Sequence, residues 1–291
     1  MRTRLGSLSL GLSALILSLP ALASGDSAPP FRPPWVLQLP PRPRAAEGGS
    51  AFLARLRELS PAECELETRK AILSGNVPDF ERELEPVWLD GVDRRGARHT
   101  AVIYALKDYL AVGSDEDFTL VPMTPGTAQL IADATGTLLP TRKMVDAIYA
   151  SAGSPMPPRW IPGGPVADAR DRKDFEEHKR LLDEQRRRLR VDLRELIAGD
   201  KKDMILAQEL LTKPGRVALY GWHRKVHDPV QPLATIHSST YVDYSHGARL
   251  IAQTVLVDGE LRSLHEVLGE AELSWAVSDE GPLKLTRYPV R

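Results

Sequence analysis

Cysteine is almost absent from this chain: Cys64 is the single one in 291 residues. No intrachain disulfide can form, so the fold must rest on its core, which a chain of this length can supply. Charge of one sign is also missing. Lysine and arginine total 38 against 39 aspartates and glutamates, a balance that gives no electrostatic reason to expect a nucleic-acid partner. After Leu22 no run is apolar enough to cross a bilayer. The sequence also lacks a glycine-rich phosphate loop, a dinucleotide fingerprint, zinc-finger spacing and any Gly-x-Ser-x-Gly elbow. These absences argue against nucleotide-dependent chemistry and leave a serine mechanism unsupported. No internal repeat is visible.

What is present begins with a basic start, Met1 to Arg4, followed by the uncharged, largely apolar run Leu5 to Leu22 and the small residues of Ala21-Leu22-Ala23. That pattern predicts a secretory signal peptide over 1–23, cleaved after Ala23, and hence a periplasmic or secreted protein with no stable membrane span. The mature chain would have about 268 residues by that cleavage rule. Removing Arg2 and Arg4 leaves 36 basic against 39 acidic residues, a net charge near −3. Residues 24–50 are rich in proline, arginine, glycine and alanine and are expected to form a weakly ordered leader, with Trp35 to Leu37 as a strap onto the folded body.

The body is expected over 51–291. Helices are predicted for Ala51 to Leu59; from Ser60, whose Ser60-Pro61-Ala62-Glu63 is a capping box, to Ser74; after Thr124; and after Thr141. A long charged helix is expected from Asp168 to Ala198, with Phe175, Leu182, Leu189 and Leu196 as its apolar stripe and Arg186, Arg187, Arg188 and Arg190 on a solvated face. Strands are expected over Thr100–Leu106, Tyr109–Val112, Phe118–Val121, Arg216–Trp222, Leu233–Ile236, Tyr241–Ser245, Ala248–Ile251, Thr254–Val257 and Leu273–Val277. Asp90-Gly91 and Asp258-Gly259 are the hairpin turns. Runs of strands broken by helix pairs imply an α+β fold with mainly antiparallel sheet. The Pro/Gly stretch 155–165 is a candidate sub-boundary.

Four of seven histidines lie between His223 and His246, in YGWHRKVHDPVQPLATIHSSTYVDYSHG. Histidine exchanges protons near neutral pH, and a nearby aspartate can orient it. His237, Asp243 and His246 are therefore the candidate catalytic residues. Tyr241, Tyr244, Trp222 and Arg249 are candidates for substrate contact, Arg249 as the group that stabilises developing negative charge.

A divalent metal such as zinc is the candidate cofactor, with His223, His237, Asp243 and His246 as ligands. Zinc needs three or four ligands at roughly 2.0–2.3 Å. In extended chain His223 and His227 would lie roughly 13 Å apart, and His237 and Asp243 about 20 Å. A shared site therefore demands bends near Ser238-Ser239 and Ser245-His246-Gly247. The set resembles, in composition only, the ligands of zinc peptidases that cut peptidoglycan stem peptides. Here Trp222-His223 precedes the other two residues rather than following them, and the His237–Asp243 interval is one residue short. The competing reading makes these histidines ordinary strand-end hydrogen-bonding groups.

Cys64, flanked by Glu63 and Glu65 and one turn from Glu67, is expected to be a packing residue, since three carboxylates disfavour a thiolate. Asp115 to Asp117 read as a solvated turn, and Lys201 to Asp203 as a helix exit. Trp160, Trp222 and Trp275 would form a sugar-stacking platform if exposed. The leading expectation is a hydrolase acting on a cell-envelope or extracellular polymer, with peptidoglycan as the specific guess. The rival is a non-catalytic envelope binding or scaffold protein whose histidines are structural.

Overall fold

Asp90-Gly91, read from sequence as a turn, lies inside the first long strand, and the reason is steric. Glu85–Val92 pairs antiparallel with Arg98–Ala105, with Asp90 opposite Thr100 and Gly91 opposite His99. A Cβ on Gly91 would stand 1.8 Å from the Trp275 carbonyl oxygen, so this position admits no side chain. The reversal falls two residues later, where Asp93 Oδ1 accepts from the Arg95 and Ala97 amides at 2.9 and 2.8 Å. The second expected hairpin forms as anticipated. Thr254–Val257 pairs with Glu260–Ser263 across Asp258 and Gly259, both at positive φ, the geometry a two-residue hairpin turn requires.

The computed structural model describes residues 36–164 and 171–288, which fall in one compact unit. The expected signal peptide and the leader up to Trp35 lie outside the described residues. The architecture is α+β with several antiparallel sheets. In the larger sheet Arg98–Ala105 is central, flanked on one side by Glu85–Val92. On the other side run Ile251–Ala252, which also pairs Thr137–Leu138, and the Thr254–Ser263 hairpin. A smaller sheet orders Asp228–Ala234, Leu219–Lys225, Lys202–Met204 and His246–Gly247, the last pair parallel. Ile103, Leu138, Met204, Leu219, Ile251 and Val255 join the two sheets in one continuous apolar core. Among the described residues no helix is long and apolar enough to cross a membrane.

The capping box at Ser60 is present in full, and Pro61–Leu73 follows it. Thr124 and Thr141 likewise cap Pro125–Thr135 and Arg142–Ser151. Residues 38–48, expected as loose leader beyond the strap that ends at Leu37, are fixed to the body as well. Leu37 is buried in the core, and Arg42 donates to Asn76, to the Gly113 carbonyl and to the Ala46 and Glu47 carbonyls. One core leucine and one arginine with four acceptors outweigh the extended preference of the proline-rich composition.

The long helix is shorter than the charge pattern implied: Phe175 and Leu182 of the expected stripe face inward, and the stripe is lost beyond them. It spans Arg172–Leu189 and ends where Arg190 adopts a left-handed conformation at φ 55°. Its inward face carries Asp174, His178, Leu181, Leu182, Gln185 and Arg186, whereas Leu189 of the expected stripe is largely exposed. Leu193, Leu196 and Ile197 lie beyond the helix, and Ile197–Ala198 pairs with Ser154–Pro155. Arg186, assigned to a solvated face, is 9% exposed and reaches Asp108 at 3.0 Å and Asp200 at 3.4 Å, both acids fully buried. Two further strand expectations fail. Tyr241–Ser245 is a bent coil, and Ser274–Val277 is a short helix packed on the first strand, with its Val277 carbonyl accepting from the Thr141 hydroxyl.

Removing one member of a buried ion pair leaves uncompensated charge in the interior, which costs about 3–5 kcal/mol. Arg186→Met is therefore expected to lower unfolding free energy by about that amount in urea titrations. A loss under about 1 kcal/mol would place the pair with ordinary surface bridges.

Candidate functional site

The backbone bends that a histidine site requires are both present. Ser238 leaves the extended path, with Tyr241 N donating to the Ser238 carbonyl at 3.0 Å. A second turn follows at Asp243, whose Oδ1 accepts from the Ser245 amide at 2.7 Å and the Ser245 hydroxyl at 2.5 Å. This aspartate-headed turn is the local motif that short polar side chains favour. It delivers the chain into the two-residue strand His246–Gly247, which pairs with Lys202-Asp203. Gly247 is needed there, because a Cβ would come within 2.4 Å of the Tyr109 ring.

These bends gather His237, Tyr241, Asp243 and His246. The His237 and Tyr241 rings stack at 4.2 Å with 10° between planes, and Tyr241 meets His246 edge-on at 5.7 Å. His246 Nε2 stands 3.5 Å from Asp243 Oδ2. Lys202, the parallel-ladder partner of His246, places Nζ 3.9 Å from the same carboxylate oxygen and 5.1 Å from the Trp222 ring. Lys202 was read from sequence as a helix exit. The residue enters the site through the pairing of Lys202–Met204 with His246–Gly247, which leaves no local mark in the sequence.

Burial pushes the Asp243 carboxyl up, but His246, Lys202 and the two Ser245 hydrogen bonds outweigh it and hold it below the usual carboxylate range. Burial drives His246 down to about 4 against the pull of Asp243, and Lys202 and His237 lower it further. His246 is 1% exposed, and neither ring nitrogen has a hydrogen-bond partner among the described residues. His237 is half-buried; desolvation lowers it, with Asp243 opposing and Lys202 and Arg216 reinforcing.

The remaining site assignments are redistributed. His223 sends Nε2 to Asp146 at 3.0 Å and stacks on Tyr149 at 4.7 Å. Among the described residues no three His, Cys, Asp or Glu side chains are arranged to hold a metal ion, so the expected zinc set is not assembled. Arg249 is 1% exposed, lies over the Tyr109 ring and donates to the Leu106 and Ile197 carbonyls at 2.8 and 2.7 Å. It holds backbone and is closed to substrate. Tyr244 is buried beside His178, Ile161 and Leu181, and its carbonyl accepts from Lys201 Nζ at 2.5 Å. It too packs rather than contacts ligand. Trp222 is buried, with its indole N–H donating to the Asp200 carbonyl at 3.1 Å.

Beneath this cluster lies an ionic interior. Lys201 Nζ donates to His178 Nδ1 at 3.1 Å, which fixes the proton of the neutral imidazole on Nε2, and Nε2 donates to the Arg159 carbonyl at 3.1 Å. Tyr109 donates its hydroxyl to Asp203 Oδ2 at 2.7 Å. Burial, reinforced by Asp108, raises Asp200 to about 7.

A separate cavity of about 730 Å³ is lined by Leu56, Cys64, Glu65, Arg172, Phe175 and Val242, among others. Cys64 Sγ lies 3.2 Å from Arg172 Nε and donates to the Leu56 carbonyl at 3.4 Å, as a packing thiol does. No protein-family model, curated protein or solved structure matches the chain.

Burial and the charges of Lys201 and Arg186 hold His178 well below its ordinary value of 6.5. As pH falls below 6.5, the unfolded chain takes up this proton before the folded one, so the His178 contribution to stability declines. His178→Gln cannot titrate and keeps a donor for the Arg159 carbonyl. The stability gap between the two proteins is expected to narrow between pH 6.5 and 4.5, read by urea unfolding at each pH. The raised Asp200 shifts stability the opposite way in both proteins and cancels in the comparison. A constant gap would show that His178 binds protons equally in both states.

Proposed function

We propose that this protein is a hydrolase acting on a cell-envelope or extracellular polymer, with peptidoglycan as the first substrate to test. The observation that carries the reading is the stacked, half-exposed His237 held in the neutral form beside the ionised Asp243 and the cation of Lys202. A neutral imidazole with a lowered proton affinity accepts a proton from water or a substrate hydroxyl at neutral pH. Tyr241 fixes the plane of the His237 ring. Lys202 takes the role expected of Arg249, a cation beside the reacting groups that opposes negative charge as it develops. Asp243, pinned by Ser245, balances Lys202 and keeps His237 from losing its basicity altogether. The buried His246 lies under Tyr241 as the inner member of the same set. The export-type sequence pattern of residues 1–23 supports the choice of an envelope polymer.

A second reading, a non-catalytic envelope-binding protein, is favoured by one observation: His246 and Asp243 are closed from solvent. The two readings separate on purified peptidoglycan, by release of reducing ends and free amino groups. His237→Ala is expected to lower the rate by about 10²–10⁴-fold, the usual worth of a general base. Lys202→Met should lower kcat with little change in KM. The wild-type rate should fall on acidification with a midpoint below 6.5, since His237 is lowered from that value. Equal rates for wild type and His237→Ala would remove the hydrolase reading and leave the binding one.

A further inference from the structure

Trp160 is an exposed large aromatic side chain that leans on Trp222, and the way it is held calls for a physical reason. Its indole is 51% exposed, yet the loop bearing it is anchored from below by buried polar groups. His178 Nε2 donates to the Arg159 carbonyl at 3.1 Å, and Gln185 Nε2 donates to the Pro157 carbonyl at 2.8 Å. Both side chains come from the inward face of the Arg172–Leu189 helix. Met156 and Ile161 are buried on either side, and Pro157, Pro158 and Pro162 stiffen the backbone between and beyond them. The indole itself rests against the buried Trp222, ring centres 5.1 Å apart at 53°.

Burying polar side chains is costly unless each finds a partner. Here they serve a loop whose outermost feature is an exposed indole. From Trp160 the path to the reacting groups is short: Trp160 touches Trp222, Trp222 lies under the Lys202 ammonium, and Lys202 faces Asp243. A rigid aromatic plane with a charged group close behind it suits a pyranose ring. The C–H face of the sugar stacks on the indole while its hydroxyls hydrogen-bond to the polar rim. A protein or lipid partner would call for a contiguous apolar patch, whereas the ring that backs Trp160 carries the Lys202 ammonium 5.1 Å from its centre.

We infer that Trp160, backed by Trp222, is a saccharide-binding subsite that seats one pyranose ring of a glycan chain beside the His237–Asp243–Lys202 cluster. Its role as a substrate subsite rests on the hydrolase reading; the binding itself does not.

The test titrates the full chain with chitohexaose and with cellohexaose, followed by tryptophan fluorescence and calorimetry. Wild type should bind at least one of them saturably. Trp160→Ala should bind it about tenfold more weakly, the worth of one stacked ring, and Trp160→Phe should fall between. Being exposed, position 160 tolerates both changes without unfolding. Saturable binding of neither oligosaccharide, or equal affinity in wild type and Trp160→Ala, would falsify the subsite. So would co-sedimentation of wild type but not Trp160→Ala with phosphatidylglycerol vesicles when neither oligosaccharide binds, which would assign the indole to a lipid surface. His237→Ala should bind like wild type. If it also keeps full activity on peptidoglycan, the hydrolase reading fails while the subsite stands.

Discussion

The buried guanidinium of Arg186 is the contact on which the arrangement depends. It joins three pieces of chain distant in sequence: the helix Arg172–Leu189, the segment after Arg98–Ala105 at Asp108, and the start of the smaller sheet at Asp200. Its plane also lies 4.8 Å from the Phe118 ring. Everything near the candidate site follows from that placement. Fixing Asp200 fixes Lys201 and Lys202, which alternate to opposite sides of the strand. Lys201 turns inward to His178 and the Tyr244 carbonyl, while Lys202 turns toward Asp243 and Trp222. A hydrophobic replacement for such a network would often be equally stable. What the charges add is a fixed point: one guanidinium reaches Asp108 at 3.0 Å and Asp200 at 3.4 Å at once.

The local features were legible because their physics is local. The Ser60 capping box, the Thr124 and Thr141 caps and the Asp258-Gly259 turn each depend on a few adjacent residues, and each is found where the sequence places it. The α+β class followed from the order of strands and helices. Errors arose where a distant segment decides. Gly91 reads as a turn until the Trp275 carbonyl is set against it. Arg186 reads as solvated until two acids from elsewhere close over it. The same holds for Arg249, whose charge suggested substrate contact, yet whose acceptors are carbonyls 143 and 52 residues away.

The candidate site was half legible for the same reason. His237, Tyr241, Asp243 and His246 do come together, because serine and aspartate permit the bends that join them. His223 could not be separated from them by spacing, since its partner Asp146 lies 77 residues away on a helix. Lys202 was hidden because nothing local marks a lysine as the parallel-ladder neighbour of a histidine 44 residues later. Two short strands meeting in parallel leave almost no sequence trace.

The contrast among the buried histidines bears most directly on function. His178 has both ring nitrogens engaged, by Lys201 and the Arg159 carbonyl, and His223 faces the Asp146 carboxylate. These are histidines at rest in a structure. His246 is buried as deeply, its nitrogens have no hydrogen-bond partner among the described residues, and Asp243 stands at 3.5 Å, beyond a good hydrogen bond. Leaving a buried polar group unmatched costs about 1–3 kcal/mol. The fold thus satisfies two of its inner histidines and leaves the third unmatched, edge-on to Tyr241, a condition it shares with other buried polar atoms such as Asp200 Oδ1 and Asp203 Oδ1. Burial keeps His246 neutral between the Asp243 carboxylate and the Lys202 ammonium, so it adds no charge to that ion pair.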